Sequence, residues 1–99
     1  MTGYQVEFSE EAVADFQSSF EWGCDNWGRE TAAKWYVESR DSINRLLGAF
    51  PLSQPIAPEN EEYDVEVRQM ILGRYRVLFN IDASVVTVLH IRGPYPGNG

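Results

Sequence analysis

The sequence predicts an α+β protein with the element order β-α-α-β-β-β, in which an N-terminal helical hairpin packs on one face of an antiparallel sheet. Three observations lead to this prediction. Apolar residues recur at helical spacing over residues 9–47, a proline-rich stretch follows, and apolar and polar residues then alternate with a period of two. A chain of 99 residues with 43% hydrophobic content supports one hydrophobic core. We therefore expect a single domain over residues 1–99.

The first half of the chain predicts one short strand and two helices. Residues 4–8 alternate apolar and polar side chains, as a half-buried strand does. Ser9 stands at an N-cap position before two glutamates, so a first helix is predicted from there to about Trp22, with Gly23 ending it. A second, longer helix is predicted over residues 28–47, where apolar side chains again share one side.

The second half predicts a loop and three strands. Residues 51–62 contain three prolines and show no periodicity, which is typical of a loop. Strands follow over residues 65–71, 75–81 and 85–91, separated by tight turns at Gly73 and at 82–84. Strands joined by such short turns pair as an antiparallel meander. Residues 93–99 are rich in glycine and proline and are expected to form a flexible tail.

The apolar rows of these strands predict how they pair. A three-residue turn at 72–74 sets Val67 opposite Phe79 and gives one continuous apolar face towards the helices. A two-residue turn is expected to bury charge instead. The first register places on the opposite face Glu66, Arg68, Arg74, Arg76, Leu78 and Asn80, joined by His90 and Arg92.

Charge is distributed unevenly along the chain. Residues 1–66 hold fourteen acidic side chains against four basic ones, a net charge of −10. Residues 67–99 hold four arginines against Asp82 alone, a net charge of +3. This asymmetry indicates either that the last third faces an anion or that the helical surface is simply made soluble by acids.

The composition also argues against several classes of protein. One cysteine and one histidine allow neither an internal disulfide nor a recognisable metal site, so we expect no metal and no cofactor. The first residues have neither a basic start nor an apolar run, and no stretch has the length of apolar sequence that a bilayer crossing needs. A cytoplasmic protein without a membrane partner is therefore expected.

Five residues of the last third are candidates for binding or cleaving a nucleic acid: Arg68, Arg76, His90, Arg92 and Tyr95. An arginine binds phosphate through two parallel charge-assisted hydrogen bonds, and an aromatic side chain stacks on a base. In RNA cleavage the 2′-hydroxyl loses a proton and the leaving 5′-oxygen gains one. Arginine stabilises the crowded phosphate of that reaction, and His or Tyr transfers the proton.

Each candidate also has a structural interpretation. Arg68 lies two residues from Glu66 and is suited to a structural ion pair. His90 lies near the end of an apolar strand, where a histidine more often has a structural role. Arg92 and Tyr95 border the predicted tail, and both interpretations remain open for them. Only Arg76, in the middle of a strand, favours a functional role.

The order of elements and several short stretches resemble the RelE/ParE toxin superfamily, which includes the plasmid stabilisation toxins. The stretches that carry the resemblance are residues 8–12 with Asp15, 57–59, 66–68, 73–79 and 88–93. The most specific of them is the Tyr-Arg-Val-Leu-Phe strand at 75–79. The resemblance covers nearly the whole chain.

The resemblance implies the toxin of a type II toxin–antitoxin pair, inhibited by a cognate antitoxin. Two activities occur in the superfamily: ribosome-dependent, metal-independent cleavage of mRNA, and inhibition of DNA gyrase. A third possibility is a degenerate member that keeps antitoxin binding alone. Arg76 matches an arginine that contacts the scissile phosphate in the nucleases, and Arg92 and Tyr95 match their C-terminal site loosely. His90 lies inside the last strand rather than in the tail, and Lys34 is the only lysine, so the lysine-rich site of RelE itself is missing.

Overall fold

The computed structural model describes residues 3–93, so Tyr95 and the rest of the predicted tail beyond Gly93 lie outside the described residues. The helices and strands are β1 (Gln5–Phe8), α1 (Glu10–Trp27), α2 (Arg29–Ala49), β2 (Arg68–Leu72), β3 (Tyr75–Asp82) and β4 (Val85–Arg92). Two short 3-10 helices, Pro51–Ser53 and Pro58–Glu62, lie in the connection between α2 and β2. The predicted β-α-α-β-β-β order is confirmed.

The four strands form one sheet in the order β1-β4-β3-β2. β2, β3 and β4 are an antiparallel meander, as predicted. β1 pairs in parallel with β4, so the sheet is mixed and β4 lies inside it between the first strand and the third. β4 is therefore paired along both of its edges.

Ser9 joins the start of α1 to the sheet. Its hydroxyl accepts a hydrogen bond from the Ala12 N–H at 3.0 Å and therefore caps the helix, as predicted. The same hydroxyl donates to the Leu89 carbonyl at 2.9 Å, and the Ser9 N–H donates to the Val88 carbonyl at 2.9 Å. The cap thus fixes both the direction of α1 and its distance from β4.

The predicted end of the first helix at Gly23 is wrong, because α1 continues to Trp27. Gly23 is buried, and a Cβ at this position would lie 2.9 Å from two ring atoms of Trp27 and 3.2 Å from the Ala32 Cβ. A glycine inside a helix costs about 1 kcal/mol relative to alanine, but here it makes room for a tryptophan ring. The chain turns into α2 at Gly28, whose φ of 97° suits glycine.

The predicted register between β2 and β3 is also wrong. The connecting turn has two residues, Gly73 and Arg74, so Leu72 pairs with Tyr75 and Arg68 pairs with Phe79. Val67 consequently does not lie opposite Phe79. The prediction assumed that only the helices cover the sheet, and under that assumption a single apolar face was required.

Both faces of the sheet are covered. The helices pack on one face around a core that includes Phe16, Ile43, Leu47, Met70, Val77, Phe79, Val86, Val88 and Ile91. On the other face Ala57, Val67 and Leu78 form a second, smaller core with Tyr63 and Leu89. The segment between α2 and β2 covers this second face. Leu78, which was predicted on an open face with the arginines, is therefore fully buried.

Two glycines are expected to respond to alanine with opposite signs. Gly73 has a φ of +62°, so Gly73→Ala is expected to destabilise the protein by about 1–2 kcal/mol through backbone strain. Gly48 lies in α2, and a Cβ there would make an ordinary 3.5 Å contact with the Tyr4 carbonyl. Gly48→Ala is expected to stabilise the protein by up to about 1 kcal/mol because alanine favours the helix. Urea denaturation of both variants checks the signs, and a stabilised Gly73→Ala variant would contradict the turn geometry.

Candidate functional site

Two of the predicted site residues, Arg76 and Arg92, lie side by side on neighbouring strands. They are direct partners in the register of β3 and β4. Directly opposed like charges destabilise a sheet, so this pair requires a nearby anion. Glu59 supplies it. The Nη2 atom of Arg76 donates to Oε1 at 2.5 Å and to Oε2 at 2.7 Å, and the Arg92 Nε lies 3.9 Å from Oε2.

Backbone contacts hold Glu59 over the two arginines. It lies in the second 3-10 helix, Pro58–Glu62, whose Asn60 N–H donates to the Ala57 carbonyl at 3.0 Å. The Asn60 side chain in turn accepts a hydrogen bond from the Val67 N–H at 2.7 Å. The Glu59 side chain is only 17% exposed, so the carboxylate is an enclosed partner of the arginines rather than a surface charge.

Arg68 does not join this pair. It stands opposite Phe79 in the register and therefore does not share a face with Arg76. Its Nη1 atom donates to the Gln54 carbonyl at 2.6 Å, and its Nε lies 3.2 Å from the Glu66 carboxylate. These contacts tie the segment between α2 and β2 to the edge of the sheet, which agrees with the structural interpretation of this residue.

His90 is likewise paired elsewhere. Its Nδ1 atom lies 3.2 Å from the Asp15 carboxylate of α1, and the same carboxylate oxygen accepts a hydrogen bond from the Ile91 N–H at 2.9 Å. The register of β3 and β4 shifts at this point, because Leu78 pairs with His90 whereas Phe79 pairs with Val88. β1 pairs with β4 only as far as Phe8, which lies opposite Val88. The Asp15 carboxylate accepts the Ile91 N–H of β4 past that point.

The structure therefore brings together Arg76 and Arg92 and separates Arg68 and His90 from them, while Tyr95 lies outside the described residues. Sequence reasoning missed the two acids that neutralise the predicted site, Glu59 and Asp15. A signal for both was present, because each lies in a stretch that carried the family resemblance.

A cleft of about 390 Å³ lies between α2 and the turn that joins β2 to β3. Trp27, Trp35 and Tyr75 line it, and the rings of Trp35 and Tyr75 are 4.9 Å apart. Burial raises the pKa of the Tyr75 phenol above its ordinary value, and the neighbouring Ser19 hydroxyl acts in the opposite direction. Of the predicted site residues within 3–93, none lines this cleft.

Two further properties of residues 3–93 concern metals and membranes. No three His, Cys, Asp or Glu side chains in this part of the chain gather closely enough to hold a metal ion. Over the same residues, neither helix has the length and apolar character needed to cross a bilayer.

Comparison with known proteins gives a family match and two similar folds. Residues 6–93 match the family described as ParE toxin of type II toxin-antitoxin system, parDE. A chain from the chromosomal ParDE toxin–antitoxin system of P. aeruginosa superposes with a TM-score of 0.72 at 18% identity, covering 89% of this chain and 92% of that chain. A chain of the RelBE2 toxin–antitoxin complex from Mycobacterium tuberculosis gives 0.58 at 20% identity, covering 93% of this chain and 92% of that chain.

Curated proteins give no significant match to the sequence. The two structural likenesses show a shared fold, since both identities are low. The family match shows more than the fold, because it is a match of the sequence itself over residues 6–93, which include both helices and β2, β3 and β4 in full. It confirms the resemblance to the RelE/ParE superfamily, and the chain belongs to the ParE toxin family of type II toxin–antitoxin systems.

Proposed function

We propose that this chain is a toxin that is neutralised by a cognate antitoxin and acts by binding DNA gyrase rather than by cutting mRNA on the ribosome. One observation carries the choice between the two activities. The arginine that an RNA-cleaving site would need, Arg76, already donates to both oxygens of Glu59. A cation whose charge is neutralised in this way has little left for a scissile phosphate.

The other candidate residues support the same choice. The Arg68 guanidinium is bound to backbone carbonyls and Glu66, and His90 is bound to Asp15. Each of these two side chains therefore already has an acidic partner of its own. The chain also carries a net charge of −7, and affinity for a ribosome depends strongly on cationic contacts with phosphate. ParE-like members of the superfamily, which act on gyrase, do not require such a site.

The proposed antitoxin fits the helical hairpin. A groove of about 370 Å³ lies between α1 and α2, lined by Gln17, Phe20, Ala33, Tyr36 and Val37. Val37 is 56% exposed, so the groove presents apolar surface to a partner. The net charge of −10 over residues 1–66 predicts that the antitoxin segment in this groove is basic. Both similar structures come from toxin–antitoxin systems.

The test is induced expression of the chain with and without the product of a neighbouring antitoxin-like reading frame. We expect growth arrest that the neighbour relieves, inhibition of gyrase supercoiling by the purified protein, and no cleavage of translated mRNA in primer extension. Arg76→Ala is expected to leave gyrase inhibition in place, with Arg74→Ala as the matched control in the exposed turn.

Two results would contradict the proposal. Cleavage at the ribosomal A site that Arg76→Ala abolishes would assign the nuclease activity instead. That second candidate is favoured by one observation, the direct pairing of Arg76 with Arg92. Unaffected growth in the absence of the neighbour would assign the third candidate, a non-toxic member that keeps only antitoxin binding.

A further inference from the structure

The cleft between α2 and the turn that joins β2 to β3 has aromatic walls. Its volume of about 390 Å³ lies within the range of small-molecule sites, which is about 300–1,000 Å³. The ring centroid of Trp35 is 4.9 Å from that of Tyr75 and 6.2 Å from that of Trp27, so the three rings form one continuous aromatic surface. Trp27 is exposed and Trp35 is partly exposed, so a ligand can reach both indole rings.

Two opposite charges line the cleft from different sides. Glu38 lies on α2 and Arg74 lies on the turn. Within residues 3–93, neither of them makes an ion pair, although both border the same cleft. The three other arginines of the last third of the chain each lie within 4 Å of a glutamate oxygen. The charge of Arg74 is therefore the one in this region that no carboxylate of the described chain neutralises.

A third polar group belongs to the most buried of the three rings. The Tyr75 side chain is only 5% exposed, and its hydroxyl is buried without a hydrogen-bond partner among the described residues. Buried polar groups are usually hydrogen-bonded, so an unpaired one is unusual. A mainly aromatic cleft that carries a few unpaired polar groups has the character of a small-molecule site.

The same groups define the chemistry of the ligand. A planar aromatic ring stacks on Trp27 and Trp35. An anionic group at one end of the ligand binds the Arg74 guanidinium through charge-assisted hydrogen bonds, and an N–H at the other end donates to the Glu38 carboxylate. Arg74 repels a ligand that is only cationic, and Glu38 repels one that is only anionic. A ligand with both groups satisfies both sides of the cleft.

We propose that this cleft binds a small planar aromatic molecule that carries an anionic group and an N–H donor. Arg74 binds the anion, Glu38 accepts the N–H, and the two indole rings hold the aromatic plane. The cleft shares no lining residue with the groove between α1 and α2, and it does not include the paired arginines of β3 and β4. The inference therefore goes beyond the proposed function and holds whichever target the toxin has.

The test uses three indole probes, and titration calorimetry measures their binding to the purified full-length protein. Indole-3-acetate carries both groups, indole-3-acetamide lacks the anion, and 1-methylindole-3-acetate lacks the indole N–H. The wild type is expected to bind indole-3-acetate at least about fivefold more tightly than the acetamide and about threefold more tightly than the methylated probe. Equal affinities for the three probes, or no binding of any of them, would overturn the inference.

Two variants test the role of each charge. Arg74→Ala is expected to lose the preference for indole-3-acetate over the acetamide, and Glu38→Ala the preference for it over the methylated probe. Both residues are exposed, so their replacement is expected to leave the fold intact. The matched controls, Arg29→Ala and Glu21→Ala, remove the same charges from exposed positions outside the cleft and are expected to keep both preferences. A preference that persists in Arg74→Ala, or that disappears in Arg29→Ala, would contradict the assignment.

A second measurement locates the probe on the wild type. The indole Nε1–H signals of Trp27 and Trp35 are expected to shift when indole-3-acetate is added in a nitrogen-15 NMR titration. Shifts confined to Phe20 and Val37 would place the probe in the groove between α1 and α2 and would overturn the site. Toxicity and antitoxin binding play no part in these measurements, so failure of the gyrase proposal leaves their interpretation unchanged.

Discussion

Replacement of Phe79 by alanine is expected to remove about 3–5 kcal/mol from the free energy of unfolding. Phe79 is the largest of the fully buried side chains, and it packs in the core between β3 and the two helices. Alanine leaves a cavity that the surrounding strands cannot close. Domains of this size have about 5–15 kcal/mol of stability in total, so the loss is a large fraction of the stability of the protein. Urea denaturation followed by circular dichroism measures the loss.

The matched control for this prediction is Phe50→Ala. Phe50 follows α2 and is 65% exposed, so the same chemical truncation is expected to change stability by less than about 0.5 kcal/mol. If the two phenylalanine variants unfold at the same urea concentration, the helix-covered face of the sheet is not the main core.

Replacement of Leu78 by alanine is expected to cost about 2–5 kcal/mol, although the sequence alone predicted this side chain on an open face. Leu78 is fully buried against Ala57 and Val67 on the side of the sheet opposite the helices. The loss measures how much the segment between α2 and β2 contributes to the fold. The same denaturation experiment reports it, and limited proteolysis within residues 54–66 is expected to become faster in this variant.

Ile71→Ala is the control for Leu78→Ala. Ile71 pairs with Arg76 and therefore lies on the same face as Leu78, but it is 60% exposed. Its truncation is expected to change stability by less than about 0.5 kcal/mol. A Leu78→Ala variant as stable as Ile71→Ala would mean that the second face is open in solution.

The order of elements could be predicted because each signal is local. The N-cap at Ser9, the period of two after residue 65 and the tight turn at Gly73 act within a few neighbouring residues. The end of α1 could not be predicted in the same way. Gly23 has the local character of a helix end, but its role depends on the ring of Trp27 and on Ala32 in the other helix.

The prediction of the register between β2 and β3 was wrong for a related reason. A two-residue turn at Gly73 places Val67 on the face away from the helices, beside Leu78, and this costs free energy if water covers that face. The proline-rich segment has no periodicity, so nothing in its sequence indicated that it packs on the sheet through Ala57 and Tyr63. The register follows from this tertiary contact rather than from the alternation of β2.

The candidate site could be predicted in part. Position on the strands placed Arg76 and Arg92 on one face of the sheet together with Arg68 and His90, and of these four the structure pairs Arg76 directly with Arg92. The prediction missed Glu59 because an acid in an irregular loop has no fixed relation to a strand until the loop is packed. The positive charge expected over the last third of the chain is therefore largely balanced by two acids from the preceding segment, Glu59 and Glu66.

The place of β4 in the sheet has a consequence for the synthesis of the protein. β4 is the strand that joins β1 to β3, and the Ser9 hydroxyl contacts it across 80 positions of sequence. A nascent chain that has reached residue 84 contains both helices and three strands, but β1 has no strand to pair with. Contacts of such high sequence separation form late and slowly. The complete sheet, and every surface that depends on it, therefore exists only after the last strand has left the ribosome.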